Sequence, residues 1–344
     1  MNKQTLIQTA KAMVAQGKGI IAADESSGTC QKRFDAVGVP CTEETRRAYR
    51  EVLITAPEIE TYISGIILYD ETIRQKSADG IPFPEILSAK GIIPGIKVDM
   101  GAKDLAFHPN EKITEGLDGL RERLAEYKTL GARFAKWRAV ITIGENIPSS
   151  ACIHANAHAL ARYSALCQEA DIVPIIEPEV LIDGAHTIER SYTATEQTLK
   201  YVFEELTGQD VMLEGVILKA SMVIAGKSAQ KQSSPEEVAE ATVKCLLSSV
   251  PKNLAGIVFL SGGQGDEQAS ANLSAINIKG TFPWPLSFSY ARAIQNPVLK
   301  IWAENPSANK EKAQAALLFR SKMNSLATQG KYSEDLEKER PGLT

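Results

Sequence analysis

Eight short apolar runs recur along the chain, and most are separated by stretches with helical periodicity. The runs occupy 19–24, 64–69, 92–99, 133–138, 171–179, 213–220, 255–261 and 286–289. They are rich in β-branched residues and leucine and show little alternation with polar positions. That is the pattern of strands buried on both faces, as in a parallel sheet. The intervening segments carry helix signals. Leu6, Ile7, Ala10, Met13 and Val14 share one face of a first helix. Thr42-Glu43-Glu44-Thr45 opens a charged helix with Arg46, Arg47 and Arg50. Leu117, Leu120, Leu124 and Tyr127 repeat at helical spacing until Gly131. Residues 150–169 and 193–206 read as helices. Ser234-Pro235-Glu236-Glu237 combines an N-cap serine, proline at the first helical position and glutamate at the third. A last long helix spans about 309–328 and ends at Gly330. The charged tail from Glu334 has no apolar face and is expected to lack fixed structure.

Eight such strands alternating with helices predict an α/β fold, a single-domain (β/α)8 TIM barrel over residues 1–333 with a short tail at 334–344. The rival is an open doubly wound sheet. It would want a glycine-rich dinucleotide turn after the first strand, and Ala23-Asp24-Glu25-Ser26-Ser27-Gly28 is not one.

Composition narrows the function. With 38 Lys+Arg against 42 Asp+Glu and a net charge of −4, the chain lacks the basic excess of a nucleic-acid surface. No apolar run reaches membrane-span length, and the N-terminus has no signal-peptide core. Cys30, Cys41, Cys152, Cys167 and Cys245 are scattered without a C-x-x-C pair, as expected of reduced thiols in a cytoplasmic protein.

A barrel gathers the carboxyl ends of its strands at one mouth, where chemistry is built. The residues there are Asp24, Lys97, Lys136, Arg138, Glu177, Glu179, Lys219, Ser261 and Ser289. Each alone has an ordinary structural explanation: Asp24 as a helix cap, Lys97 with Asp99 as an exposed pair, Glu177 and Glu179 as solvated charges, Lys219 as a lysine reaching for water. Three lysines, an arginine and three carboxylates at converging positions are hard to explain as packing. Together they suit amine chemistry. Neighbouring cations disfavour a lysine's charged form and leave a nucleophile that condenses with a ketone. A carboxylate among lysines shuttles the protons of carbinolamine formation and dehydration. The resulting Schiff base is an electron sink, so an adjacent carbon–carbon bond can break.

Ser261-Gly262-Gly263 follows the seventh strand, a common barrel location for phosphate, and Ser289 and Arg292 after the eighth could complete that cradle. Lys32, Arg33 and Lys97 could meet a second anionic end, although Lys32 and Arg33 alone read as a solvated helix face. His154 and His158 lie four apart on one helix, but no third ligand is evident nearby, so they read as a surface or core pair. Trp137, between Lys136 and Arg138, points away from the mouth and packs.

These residues bring a family into view. The stretches 17–26, 95–99, 134–138, 173–179, 214–219 and 259–264 closely resemble class I fructose-1,6-bisphosphate aldolases, in order and over nearly the whole chain up to Gly330-Lys331-Tyr332. The resemblance implies reversible cleavage of fructose 1,6-bisphosphate to dihydroxyacetone phosphate and glyceraldehyde 3-phosphate, a step of glycolysis, without cofactor or metal. It implies a cytoplasmic homotetramer with no nucleic-acid or membrane partner. It also implies roles. Lys219 would be the Schiff-base lysine and Glu177 the acid/base residue for dehydration and for the hydroxyl proton. Asp24 would orient the substrate hydroxyls. Lys136 would stabilise the carbinolamine, and Glu179 would support the charges. Ser261, Gly262, Gly263, Ser289 and Arg292 would hold the 1-phosphate, with Ser26, Arg33, Lys97 and Arg138 toward the 6-phosphate end. Two departures stand out: no tyrosine follows Tyr332, where animal members end in one, and Ala291 replaces a family glycine before the phosphate arginine.

Overall fold

All eight apolar runs are strands in the computed structural model, which describes residues 1–340. They are β1 (Gly19–Ala23), β2 (Ile63–Leu68), β3 (Ile93–Lys97), β4 (Phe134–Ile141), β5 (Val173–Val180), β6 (Ile217–Ala220), β7 (Gly256–Phe259) and β8 (Leu286–Tyr290). Each pairs in parallel with its sequence neighbour. β8 returns to β1 through Ile20 opposite Ser289 and Ile21 opposite Tyr290, which closes the barrel. The unbroken apolar runs follow from this closure, because one face meets the barrel interior and the other meets the outer helices. A small antiparallel hairpin, Ala102–Asp104 with Lys112–Thr114, is inserted after β3.

The first helix, Lys3–Met13, plugs the amino-terminal end of the barrel. Its Leu6, Ala10, Met13 and the following Val14 pack on Phe134, Val173, Ile217 and Val258 from inside the sheet. The Phe134 ring lies flat across β3, where a methyl group built on Gly95 would sit 2.2 Å from it. Only glycine fits there. The helix caps form where the sequence places them. Ser234 and Glu237 make a reciprocal capping box, with backbone-to-side-chain distances of 2.9 and 3.3 Å, and Thr42 and Thr45 make another.

Four expectations are corrected. The sixth run is a strand only in its second half. Leu213–Gly215 forms a 3-10 turn, because the Gln168 amide bonds both the N–H and the carbonyl of Met212, at 3.0 and 2.8 Å, and so supplies from outside what a strand partner would. The helix expected at 193–206 runs Ile188–Gly208 and starts at a Thr187 cap. Leu117 lies ahead of its helix, which begins at Leu120 after Gly119, with φ +64°. The tail is fixed as far as residue 340. Glu334–Glu339 forms a 3-10 turn, and its Glu337 is buried against Arg320 at 2.5 Å, with the Tyr332 hydroxyl donating to the same carboxylate at 3.0 Å. The remainder of the tail, 341–344, lies outside the described residues. The helices Ser27–Asp35, Asp266–Ile278 and Arg292–Glu304 complete the outer layer.

Candidate active site

The strand ends deliver a lysine–carboxylate cluster to the carboxyl mouth. Lys136 and Glu177 project from neighbouring strands of the register β4–β5, and Lys219 from β6 beside them. The Lys219 Nζ lies 3.1 Å from Glu177 Oε1. The Lys136 Nζ lies 3.4 Å from Glu177 Oε2, 2.8 Å from Asp24 and 3.8 Å from Asp99. All five side chains are buried. Isolated charges would not remain ionised there, so the cluster exists because it is mutually paired.

Electrostatics fix two of these groups. Burial alone would raise the Asp24 pKa, but the Lys136, Lys219 and Lys97 charges outweigh it and bring it to about 2. Burial opposes the charge on Lys136, and Asp24, Glu177 and Asp99 together overcome that, holding its pKa well above the ordinary lysine value. Asp24 is therefore a permanent anion and Lys136 a permanent cation near neutral pH. Glu177 faces two amines at once. If Lys219 gives up its proton, Glu177 keeps a cation on its other oxygen. That second oxygen is buried and makes no hydrogen bond, so it is free to receive one from a ligand.

Two further ion pairs flank the cluster. Lys97 pairs with Asp99 at 2.7 Å, and Arg138 pairs with Glu179. Burial opposes the Arg138 charge, but Glu179 holds the guanidinium firmly protonated. Asp99 escaped sequence reading as a site residue. It touches Lys97 and Lys136 and accepts the Arg138 backbone N–H at 3.2 Å, which makes it the hub between β3 and β4. Its only sequence signal is a carboxylate two residues beyond a strand-end lysine.

The opposite side of the mouth is built for an anion. Ser261-Gly262-Gly263 turns after β7, with φ +59° and +97° at the glycines. Ser289, on β8, is 1% exposed, and its hydroxyl has no partner. Arg292 opens the helix after β8. A methyl group built on Gly263 would meet both Arg292 Nη2 at 3.3 Å and Lys227 Nζ at 2.6 Å. Sequence reasoning missed Lys227, since it lies in the loop well past its strand.

Two expected residues are engaged elsewhere. Ser26, not Asp24, caps the first βα helix, accepting the Thr29 N–H at 3.4 Å. Arg33 pairs with Glu25 and reaches Gln295 and Asn296 at 3.4 Å. The two histidines set aside are also accounted for: His158 bonds Glu205 at 3.0 Å and His154 stacks on Tyr201. Trp137 packs on Tyr163 outside the barrel. Among the described residues, no group of three or more His, Cys, Asp or Glu is placed to hold a metal ion. No described helix is long and apolar enough to cross a membrane.

Comparison with known proteins gives one answer throughout. The family model for fructose-bisphosphate aldolase class-I matches residues 5–342. The "Probable fructose-bisphosphate aldolase class 1" of Xanthomonas axonopodis pv. citri is 61% identical, over 96% of this chain and 99% of that protein. "Fructose-bisphosphate aldolase 4, cytosolic" of Arabidopsis thaliana is 49% identical, over 96% of this chain and 84% of that protein. The solved structure of fructose-bisphosphate aldolase from Plasmodium falciparum, in complex with TRAP and a small molecule inhibitor, superposes with a TM-score of 0.94 at 46% identity, covering 96% of this chain and 95% of that one.

Proposed function

The chain belongs to the class I fructose-bisphosphate aldolase family, and from that premise we propose that Lys219 forms the covalent intermediate and that Glu177 moves the protons. The enzyme is an aldehyde-lyase. It reversibly cleaves fructose 1,6-bisphosphate to dihydroxyacetone phosphate and glyceraldehyde 3-phosphate through a lysine Schiff base. The observation that carries the assignment is the buried contact of 3.1 Å between Lys219 Nζ and Glu177 Oε1.

In this reading the neutral Lys219 amine adds to the ketone carbon of the open-chain sugar. Glu177, holding the proton taken from the Lys219 ammonium, gives it to the carbinolamine hydroxyl, and water leaves to give the iminium. Lys136, fixed as a cation, stabilises the carbinolamine oxygen. A carboxylate then takes the proton of the hydroxyl on the far carbon of the bond to be broken, the carbon that becomes the aldehyde. The carbon–carbon bond breaks, its electron pair enters the iminium to form an enamine, and the aldehyde departs. Glu177, ionised once it has released its proton to the leaving water, is placed for that abstraction. Asp24 orients the substrate hydroxyls and assists cleavage, and Glu179 supports the charge arrangement. Protonation of the enamine and hydrolysis release the ketone and return Lys219.

The 1-phosphate lies on Ser261, Gly262, Gly263, Ser289 and Arg292, where the Ser289 hydroxyl is buried without a partner. The 6-phosphate end falls toward Ser26, Lys97, Arg138 and Arg33. The last three enter that role from existing pairs with Asp99, Glu179 and Glu25. We further infer a cytoplasmic homotetramer, the location supported by the relative named cytosolic and the assembly by the wholly exposed Phe107 and the 65% exposed Met100 around the inserted hairpin. Light scattering on the purified protein tests the subunit number, and a monomer would refute it.

Lys219→Arg keeps the charge and approximate bulk but removes the nucleophile. It is expected to abolish cleavage of the bisphosphate in the presence of a chelator, whereas the wild type turns over. Retained turnover in the variant would remove Lys219 from the reaction.

A further inference from the structure

Two loops meet over the glycine turn after β7. Backbone bonds stitch the loop after β5 to the loop after β6: Gly226 N–H to His186 O at 2.8 Å, Lys227 N–H to Ile182 O at 2.8 Å and Ser228 N–H to Gly184 O at 2.9 Å. This staple fixes where Lys227 leaves the backbone. Its stem then runs across Gly263, whose missing side chain leaves the room that the ammonium fills: a methyl there would be 2.6 Å from Nζ and 3.0 Å from Cε. Arg292 reaches the same position, with Nη2 3.3 Å from that methyl. Two cations thus converge on one glycine after β7, and the neighbouring strand β8 carries the buried, unpartnered Ser289 hydroxyl. Their mutual repulsion is offset when an anion lies between them.

Lys227 does have one partner. Its Nζ is 3.2 Å from Asp183 Oδ1, and both side chains are substantially exposed, at 41% and 66%. A solvated pair of this kind holds its partners weakly. A phosphate dianion carries more charge and more acceptors, and it would be further held by backbone N–H groups.

We propose that Lys227 is a second cationic ligand of the substrate's 1-phosphate, parked on Asp183 until the phosphate arrives. The inference rests on the reading of Ser261–Gly263, Ser289 and Arg292 as the 1-phosphate pocket. It adds a residue from the loop after β6, so the strand that carries Lys219 also leads to a grip on the phosphate of the sugar that Lys219 binds. Asp183 acts as a competing anion, and its removal strengthens substrate binding.

The test is borohydride trapping of the intact enzyme, titrated with dihydroxyacetone phosphate and, in parallel, with unphosphorylated dihydroxyacetone. Lys227→Gln is expected to raise the half-saturating concentration of the phosphorylated ketone about tenfold, the lower end for one charge-assisted contact, and to leave that of dihydroxyacetone within twofold. Lys227→Arg is expected to restore most of the loss. Asp183→Asn is expected to shift the phosphorylated ketone the other way, lowering its half-saturation about twofold. Arg292→Ala separates the two readings. If it weakens phosphate-dependent binding while Lys227→Gln does not, Lys227 is not a ligand and the pocket stands. If neither variant changes it, the pocket itself is misplaced. If Lys227→Gln and Asp183→Asn both weaken the two ketones alike, the pair only braces the loops and the proposal is wrong.

Discussion

The two sides of the barrel mouth are charged in opposite ways. On the side of β1, β3, β4, β5 and β6, these charges have protein partners: Asp24 with Lys136, Lys219 with Glu177, Lys97 with Asp99, Arg138 with Glu179. On the side of β7 and β8, the polar groups wait. Ser289 is buried without a partner, and Arg292 and Lys227, the latter held only by a solvated pair with Asp183, approach the same glycine. The first arrangement suits proton transfer and covalent chemistry, where charges must be held in place before the substrate comes. The second suits an anion that supplies its own charge. One side should therefore govern turnover and the other affinity.

That contrast can be broken most sharply at Glu177. Glu177→Gln removes the proton carrier and keeps its shape, and it is expected to lower kcat by roughly 10²–10⁴-fold with a modest change in KM. A steady-state assay on fructose 1,6-bisphosphate reads the split, and a near-normal kcat would move the acid/base role elsewhere. Ser289→Ala acts on the other side. It removes a buried donor that has no partner in the free protein, so it should not destabilise the fold. It is expected to raise KM about tenfold while kcat changes little. A loss carried by kcat instead would erase the division between the sides.

The smallest effect concerns pH. The Asp24 carboxyl titrates near 2, below its ordinary 3.8, so its pairing with Lys136 contributes stability above pH 4 that is lost as pH falls through about 2. The unfolding free energies of wild type and Asp24→Asn are expected to converge between pH 5 and pH 2, by on the order of 2 kcal/mol for a shift of this size. A difference independent of pH in urea titrations would mean that the pair does not form.

Much of this was legible in the chain. The eight strands announced themselves because a closed parallel barrel buries both faces of each strand, which writes unbroken apolar runs into the sequence. Strand-end charges were legible for a related reason: the strand tells where its end points. What stayed hidden depended on distant partners. The Gln168 side chain, from another helix, bends Leu213–Gly215 out of the strand. Arg320, 17 residues away, buries Glu337 and fixes a tail that looks disordered by composition. Asp99 reads as an exposed charge until Lys136 is brought beside it. Lys227 joins the phosphate side only through the staple between two loops, and no local pattern encodes that register.

The claim most exposed to refutation is that Lys219 bonds covalently to the ketone carbon. Borohydride reduction of the wild-type enzyme with dihydroxyacetone phosphate, followed by peptide mass spectrometry, addresses it directly. One stable adduct is expected, on Lys219 and absent without the ketone. An adduct on Lys136, or no adduct with substrate turnover intact, would contradict it.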